Sequence, residues 1–202
     1  TEDGEVVWEN GSSQISYSSP VLVHLGDEWQ IVSVNENDVS GHSWIDGTAL
    51  WKAPWPSKSN AEACASQPVV AKANHLLLGK GYRQGSKLIE VFQSKDADAT
   101  QQWEWDWRTQ TIWESKRVLK TKFTSAIPID SHLYGLSDGI LECIDIDTGS
   151  SVWKSGRYGQ GQLLVVNGKL LITTENGRVV QVRPEDGQVL GEFPVIDGIT
   201  WN

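Results

Sequence analysis

Hydrophobic and polar residues alternate along most of this chain in short runs, and turn residues separate the runs. One clear series occupies residues 124–129, 132–136, 140–146 and 152–154. Asp-Gly and Asn-Gly pairs separate many of the runs, and such pairs tolerate the positive φ angles of tight hairpins. No stretch shows a convincing helical period. The pattern therefore predicts units of four antiparallel strands.

This four-run pattern occurs four times along the chain. The predicted units occupy residues 18–55, 68–113, 123–156 and 162–193. Residues 1–10 are predicted to be the last strand of a preceding unit. Residues 94–107 are predicted to be an insertion within the second unit.

A short phrase also recurs, in which a glycine stands four residues before a tryptophan. It ends at Trp8, Trp51 and Trp153, and a copy at residues 185–191 lacks the tryptophan. Trp51 follows Trp8 by 43 residues, and Trp153 follows Trp113 by 40. A repeat of this length built from short strands is typical of a β-propeller, which has four strands in each blade. The chain is therefore predicted to be one all-β propeller domain with about four blades.

The third copy of the phrase resembles a known family motif. Residues 143–153 read C-I-D-I-D-T-G-S-S-V-W, which resembles the tryptophan-docking motif of PQQ-like (quinoprotein-type) propellers, commonly written A-x-D-x-x-T-G-x-x-x-W. Four residues match in place, namely Asp145, Thr148, Gly149 and Trp153. In that family the tryptophan packs between neighbouring blades, and the Asp, Thr and Gly fix the turn that carries it. The resemblance implies the same structural role for Trp8, Trp51 and Trp113.

Two further stretches, residues 133–139 and 156–162, are similar to the PQQ-like repeat proteins related to the outer-membrane assembly lipoprotein BamB. These relatives usually close with seven or eight blades. The chain is therefore expected to be about half of such a propeller, and its lack of Met fits an incomplete sequence. A four-bladed ring is one alternative, and two copies that complete each other by self-association are another.

The charge balance argues against a nucleic-acid partner. The 202 residues include 17 Lys and Arg against 26 Asp and Glu, which gives a net charge of −9 at pH 7. Nucleic-acid binding depends on a basic surplus that neutralises phosphates. No run of 18 apolar residues predicts a transmembrane segment. A periplasmic or secreted location is implied by the family resemblance alone.

No residue pattern indicates catalysis, a metal or a cofactor. The four histidines are far apart, and pairs such as Asp145 and Asp147 lack the glycine and distal glutamate of a calcium loop. Quinoprotein alcohol dehydrogenases carry a vicinal Cys-Cys disulfide, and this chain has only the separated Cys64 and Cys143. Cys143 is expected to be a buried thiol, with a bridge to Cys64 as an alternative. We therefore predict no catalytic, metal-binding or cofactor-binding residues.

A row of tryptophans marks the predicted insertion. Trp103, Trp105 and Trp107 alternate with acidic residues, so in an extended strand the three indoles would face the same side. The row either packs against the propeller or contacts a protein or carbohydrate, because exposed aromatic clusters are typical binding anchors.

A second candidate binding set is basic. Lys120 and Lys122, preceded by Lys116 and Arg117, stand between two predicted blades, and Arg157 with Tyr158 stands at the next such position. Equivalent connections of adjacent blades should share one face of the disc, near its central funnel. The set is either a group of solvated loop charges or a site for an anionic ligand or acidic protein segment.

These observations predict a non-catalytic propeller scaffold that binds a protein partner or joins a larger assembly in an exported compartment. Two alternatives stay open. One is a PQQ-dependent quinoprotein oxidoreductase, with PQQ and calcium held by catalytic residues outside this chain. The other is an accessory subunit of a larger membrane-associated or electron-transfer complex.

Overall fold

The computed structural model describes residues 3–14, 16–56, 64–94 and 107–199. These residues form sixteen strands in four antiparallel sheets, with no helix among them. Each sheet is a blade whose strands are hydrogen-bonded in chain order. The prediction of an all-β propeller with four blades in this chain is confirmed.

The blades have the following bounds. Blade 1 contains β1 (Val21–Leu25), β2 (Glu28–Val34), β3 (Asp38–Ser43) and β4 (Ala49–Pro54). Blade 2 contains β5 (Val69–Lys72), β6 (His75–Lys80), β7 (Gly85–Gln93) and β8 (Trp107–Ser115). Blade 3 contains β9 (Ile127–Ile129), β10 (His132–Ser137), β11 (Ile140–Asp145) and β12 (Ser151–Arg157). Blade 4 contains β13 (Gln162–Val166), β14 (Lys169–Thr173), β15 (Arg178–Val182) and β16 (Val189–Pro194).

The tight hairpins form where the sequence places its Asp-Gly and Asn-Gly pairs. Asp138 and Gly139 have φ angles of 49° and 84°, and Asn167 and Gly168 have 50° and 69°. Positive φ at both central residues is the backbone twist that matches two right-handed strands. These pairs therefore fix the β10–β11 and β13–β14 registers.

Apolar side chains fill the spaces between neighbouring blades. The first cluster joins blades 1 and 2 and includes Val32 and Leu76, and the second joins blades 2 and 3 through Leu88 and Leu133. The third cluster joins blades 3 and 4 and contains Cys143. Each blade therefore buries its face against the next one along the chain.

The two cysteines are unpaired thiols in different clusters. Cys64 lies between blades 1 and 2, and Cys143 lies between blades 3 and 4. Burial raises the pKa of both thiols. The alternative of a bridge between them is therefore wrong, because each thiol is buried in a separate part of the core.

Three tryptophans each lie against the glycine of a different turn, and these turns join β3 to β4, β11 to β12 and β15 to β16. Trp8 covers Gly47, and a Cβ at Gly149 would lie 2.6 Å from Cδ2 of Trp113. Trp113 belongs to blade 2 and donates its indole N–H to the Ile146 carbonyl of blade 3 at 2.7 Å. Trp153 of blade 3 contacts Gly187 of blade 4 in the same way.

The turn that receives Trp113 is stabilised from within. The backbone N–H and the hydroxyl of Thr148 both donate to Oδ1 of Asp145, each at 2.8 Å. These two bonds lower the pKa of the Asp145 carboxyl, so it stays ionised as an acceptor.

Trp51 makes a different contact. Its indole lies against Gly41 of the neighbouring strand, donates to Oε1 of Gln30 at 2.7 Å, and is only 1% exposed within the blade 1–blade 2 cluster. The repeat phrase alone therefore does not determine what each tryptophan contacts.

Some sequence predictions concern residues outside these elements. Residues 3–10 form no strand, although Trp8 within them contacts blade 1. Most of the predicted insertion, residues 95–106, lies outside the described residues. In the part of the chain that the structure describes, no helix is long and apolar enough to cross a membrane.

Candidate functional site

The turns of each blade lie alternately at its two ends. Because every blade is an antiparallel meander, the β6–β7 and β10–β11 turns share one end with the connections between blades. We call this end the blade-connection face. A backbone bond from the Asp138 N–H to the Lys120 carbonyl, 3.2 Å long, ties the β10–β11 turn to the connection between blades 2 and 3.

Two lysines on this face share one carboxylate. Nζ of Lys120 lies 2.6 Å from Oδ2 of Asp138, and Nζ of Lys122 lies 3.6 Å from Oδ1. Partial burial by itself would raise the pKa of Asp138, but the hydrogen bond and charge of Lys120, with the charge of Lys122, outweigh it and lower that pKa. One carboxylate cannot neutralise two ammonium groups, so a positive charge is left over at this point.

Further cations surround the shared carboxylate. We call Arg83, Lys116, Arg117, Lys120, Lys122 and Arg157 the cationic loop cluster. Arg83, Lys116, Arg117 and Arg157 are exposed. Within the described ranges, no carboxylate lies within ion-pair distance of these four side chains. The cluster is therefore a local positive surplus on a protein of net charge −9.

Acidic residues predominate in the turns at the opposite end of the blades. They are Asp27, Asp46, Asp130, Asp147 and Asp186. Lys72 pairs with Asp147, and Arg183 pairs with Asp186 at 3.0 Å. The cationic loop cluster and these turns therefore carry charge of opposite sign, which orients a charged partner toward one of them.

Two exposed aromatic rings accompany the cations. Tyr82 is 37% exposed and Phe123 is 42% exposed. Nζ of Lys122 lies 4.9 Å from the centre of the Tyr82 ring, a cation–π distance, and the stem of Lys122 covers Gly81. Aromatic rings beside arginines are the composition of protein-binding surfaces.

The backbone of this region is unusual. Eight described residues other than glycine have positive φ, and five of them lie here: Tyr82, Arg83, Leu119, Phe123 and Asp138. Bulky residues rarely adopt this conformation, and such strain concentrates at functional sites. Tyr82 and Phe123 are both exposed, so neither ring contributes to the core.

The predicted binding residues do not all reach the surface. Tyr158 is buried between blades 3 and 4, and burial raises the pKa of its hydroxyl. Its backbone N–H donates to the Gly139 carbonyl at 2.7 Å, so it positions the loop that presents Arg157. Trp107 is buried against Gly26 in the blade 1–blade 2 cluster. Trp103 and Trp105 lie outside the described residues, so the binding role of that row stays a prediction.

Sequence reasoning missed the aromatic part of this face. The available signal was an aromatic residue beside a basic one, at Tyr82-Arg83 and at Lys122-Phe123, in loops that meet on one face. Sequence reasoning also missed a cavity of about 340 Å³ lined by residues that lead into or begin the inner strands of all four blades. Its signal was a pair of small or polar residues before each inner strand, such as Ser18-Ser19 and Thr124-Ser125.

The described residues bring together no three His, Cys, Asp or Glu side chains that could hold a metal ion. Among the described residues, the lining of this cavity offers no carboxylate for calcium and no cation for the carboxylates of PQQ. The oxidoreductase alternative, which assigns PQQ and calcium to residues outside this chain, stays a prediction.

Comparison with known proteins agrees with the fold. A family model described as outer membrane protein assembly factor BamB matches residues 1–155. The crystal structure of BamB from Moraxella catarrhalis is similar with a TM-score of 0.53 at 16% identity, over 85% of this chain and 47% of that one. A search of curated proteins found no match.

Two other solved structures show the same architecture. The computationally designed Ika8 protein has a TM-score of 0.65 at 14% identity, over 98% of this chain and 55% of that one. Apo AztD from Citrobacter koseri has a TM-score of 0.51 at 13% identity, over 87% of this chain and 46% of that one. At these identities the likeness shows the fold alone. The chain spans about half the length of each of these structures.

Proposed function

This chain belongs to the family of the outer membrane protein assembly factor BamB, and from that membership and its charged face we propose that it is a non-catalytic scaffold that binds an acidic protein segment. The binding surface is the cationic loop cluster with Tyr82 and Phe123. The proposed location is an exported compartment, periplasmic or extracellular, because the family description names an assembly factor for outer membrane proteins. No cofactor takes part in this proposal.

The single observation that carries the proposal is the shared carboxylate. Lys120 and Lys122 have only Asp138 between them, so one of their two charges is left to a partner. Side-chain exposures of 25% and 23% mean that the two lysines are half-buried and already ordered, so binding costs little additional side-chain entropy. Phe123 and Tyr82 supply apolar contact area next to this charge.

Reversing two charges tests the proposal. The double variant Lys122→Glu/Arg157→Glu is expected to weaken binding of a fluorescent peptide rich in Glu and Phe by about tenfold or more, because like charges then face each other. The dependence of Kd on salt should also flatten, since fewer ion pairs form. Fluorescence anisotropy over a range of NaCl concentrations measures both effects. A Kd that changes neither with salt concentration nor with the two substitutions would overturn the proposal.

The opposite change should strengthen binding. Asp138→Asn removes the carboxylate that Lys120 and Lys122 share and frees both charges for the peptide. Affinity for the same peptide is expected to rise by about threefold or more. The loss of partly exposed ion pairs costs about 1 kcal/mol or less, so a thermal melt should change little. Lys169→Glu, at the opposite end of the blades, is the matched control and should leave the affinity unchanged.

A further inference from the structure

The three apolar clusters join the four blades in series, from blade 1 to blade 4. Among the described residues, no such cluster joins blade 4 back to blade 1. The two terminal blades therefore each keep one sheet face that no other blade covers. Both faces carry exposed apolar side chains, and contiguous apolar patches mark interaction sites.

The uncovered face of blade 4 repeats the positions by which blade 3 packs on blade 4. In blade 3, one row of cross-strand partners lies in the shared cluster: Ile127, Tyr134, Cys143 and Trp153. The row at the same register in blade 4 is Leu164, Leu171, Gln181 and Gly191, with Val179 and Phe193 in the next row on the same side. We call these six residues the blade 4 free face. Its Leu164 and Phe193 are more than half exposed.

The uncovered face of blade 1 repeats the positions by which blade 3 packs on blade 2. Ala126 and Ile146 of blade 3 lie in the cluster shared with blade 2. Leu22 and Trp44 hold the equivalent positions in blade 1, three residues before the end of the inner strand and three before the turn glycine. We call Leu22, Ile31 and Trp44 the blade 1 free face. The two terminal blades therefore present the two complementary sides of a joint between successive blades.

The docking tryptophan is divided between these two ends. Gly191 in blade 4 stands at the register position of Trp153, and a Cβ there would meet only the Phe193 ring, at 3.4 Å or more. Trp8 already lies on the β3–β4 turn of blade 1 and donates its indole N–H to the Trp44 carbonyl at 3.3 Å, as Trp113 does in blade 3. A joint between blade 4 and blade 1 would therefore contain one docking ring, as the joints among blades 2, 3 and 4 do.

The blade 1 free face also has room for a partner. Residues 8–14 run beside it and leave a groove of about 430 Å³, which Ile31, His42 and Ala49 line. A four-stranded sheet face measures roughly 16 Å by 19 Å, since neighbouring strands lie about 4.8 Å apart. Two such joints would cover roughly 1,200 Å² on two copies together, above the roughly 1,000 Å² that a specific interface needs.

We propose that two copies of this chain join head to tail, with the blade 4 free face of each copy against the blade 1 free face of the other. A two-fold axis through the centre relates the copies, so the contact closes after two chains and leaves no open end. The chain spans about half the length of each similar solved structure, so two copies supply the length of one such propeller.

This association is independent of the proposed peptide binding. The two free faces are mostly apolar, so the dimer should persist as salt concentration rises, whereas peptide binding at the cationic loop cluster should weaken. Failure of either proposal can therefore be seen without reference to the other.

Substitutions on the two free faces test the association. Native mass spectrometry and sedimentation velocity of the wild-type chain should show a species of twice the 22.4 kDa of one chain. Leu164→Glu and Trp44→Glu should each weaken this dimer by about 100-fold or more, because every joint would then bury an unpaired carboxylate. Both side chains are more than half exposed within one copy, so circular dichroism should show an unchanged fold. Val152→Glu, at an equally exposed position on β12, is the matched control and should leave the dimer intact.

A mixture of the two variants tests the head-to-tail arrangement itself. Blade 4 of the Trp44→Glu chain and blade 1 of the Leu164→Glu chain are both unsubstituted, so the mixture should form a heterodimer through one intact joint. Its mass differs from that of either homodimer, so native mass spectrometry identifies it. If two blade 4 faces met instead, Trp44→Glu alone would dimerise as the wild-type chain does, and the proposal would be wrong. A single 22.4 kDa species at every concentration, the result expected if other blades cover both faces, would also overturn it.

Discussion

Replacing Trp51 with alanine is expected to lower the free energy of unfolding by about 3–5 kcal/mol. The indole is 1% exposed within the cluster that joins blades 1 and 2, so its removal leaves a cavity between two blades. It also removes the donor to Oε1 of Gln30, whose Nε2 already has no partner among the described residues. A thermal melt should shift downward by roughly 10 °C. Urea titration followed by tryptophan fluorescence measures the same loss as a free energy.

A second tryptophan of blade 1 provides the control. Trp29 is 47% exposed on β2 and touches only His24 edge-on among the aromatic rings described. Trp29→Ala should therefore cost about 1 kcal/mol or less. Trp51→Phe separates packing from hydrogen bonding, because it keeps a ring but loses the indole N–H. Equal losses for Trp51→Ala and Trp29→Ala would contradict the placement of Trp51 between the blades.

The strands and blades were predictable because their signals are local. Alternation over five or six residues decides which side of a strand is buried, and Asp138-Gly139 or Asn167-Gly168 decides where the chain reverses. Such signals need no knowledge of distant parts of the chain. The repeat length near 40 residues then indicates that these units are successive blades of a propeller.

The contacts between blades were less predictable because they depend on residues far apart in sequence. Trp51 follows the same phrase as Trp153, yet it lies against Gly41 of its own blade. Tyr158 sits in a loop by sequence, yet its ring fills the core between blades 3 and 4. In both cases the space left by the neighbouring strand or blade decides where the ring packs. The hydrophobic pattern of a single segment carries no information about that space.

Only part of the candidate site was predictable from the sequence. Propeller topology alone places Lys120, Lys122 and Arg157 on one face. The sharing of Asp138 by Lys120 and Lys122 depends on two segments that are separate in sequence, and Tyr82, whose ring lies beside Lys122, has positive φ although it is not a glycine. No simple sequence rule assigns positive φ to Tyr82 or Phe123, so the outward position of these rings could only be seen in the structure.

Replacing Gly149 with alanine is expected to lower the free energy of unfolding by about 2–5 kcal/mol. Its φ of 65° costs an alanine about 1–2 kcal/mol relative to glycine. The new Cβ would also lie 2.6 Å from Cδ2 of Trp113, and overpacking of this kind costs about 1–3 kcal/mol. The Trp113 ring would have to leave the turn, which would weaken its bond to the Ile146 carbonyl. Denaturant titration of the single variant measures the sum of these costs.

Gly168→Ala separates the two costs of Gly149→Ala. Gly168 has nearly the same φ, 69°, but no atom lies within 4 Å of the Cβ that alanine would add, so only the conformational cost of about 1–2 kcal/mol applies. In a Trp113→Ala background, Gly149→Ala should cost no more than Gly168→Ala, because the ring that it displaces is gone. The difference between the two backgrounds is the coupling energy of the ring and the turn. If Gly149→Ala and Gly168→Ala cost the same in the wild-type background, Trp113 does not hold blade 2 against this turn of blade 3.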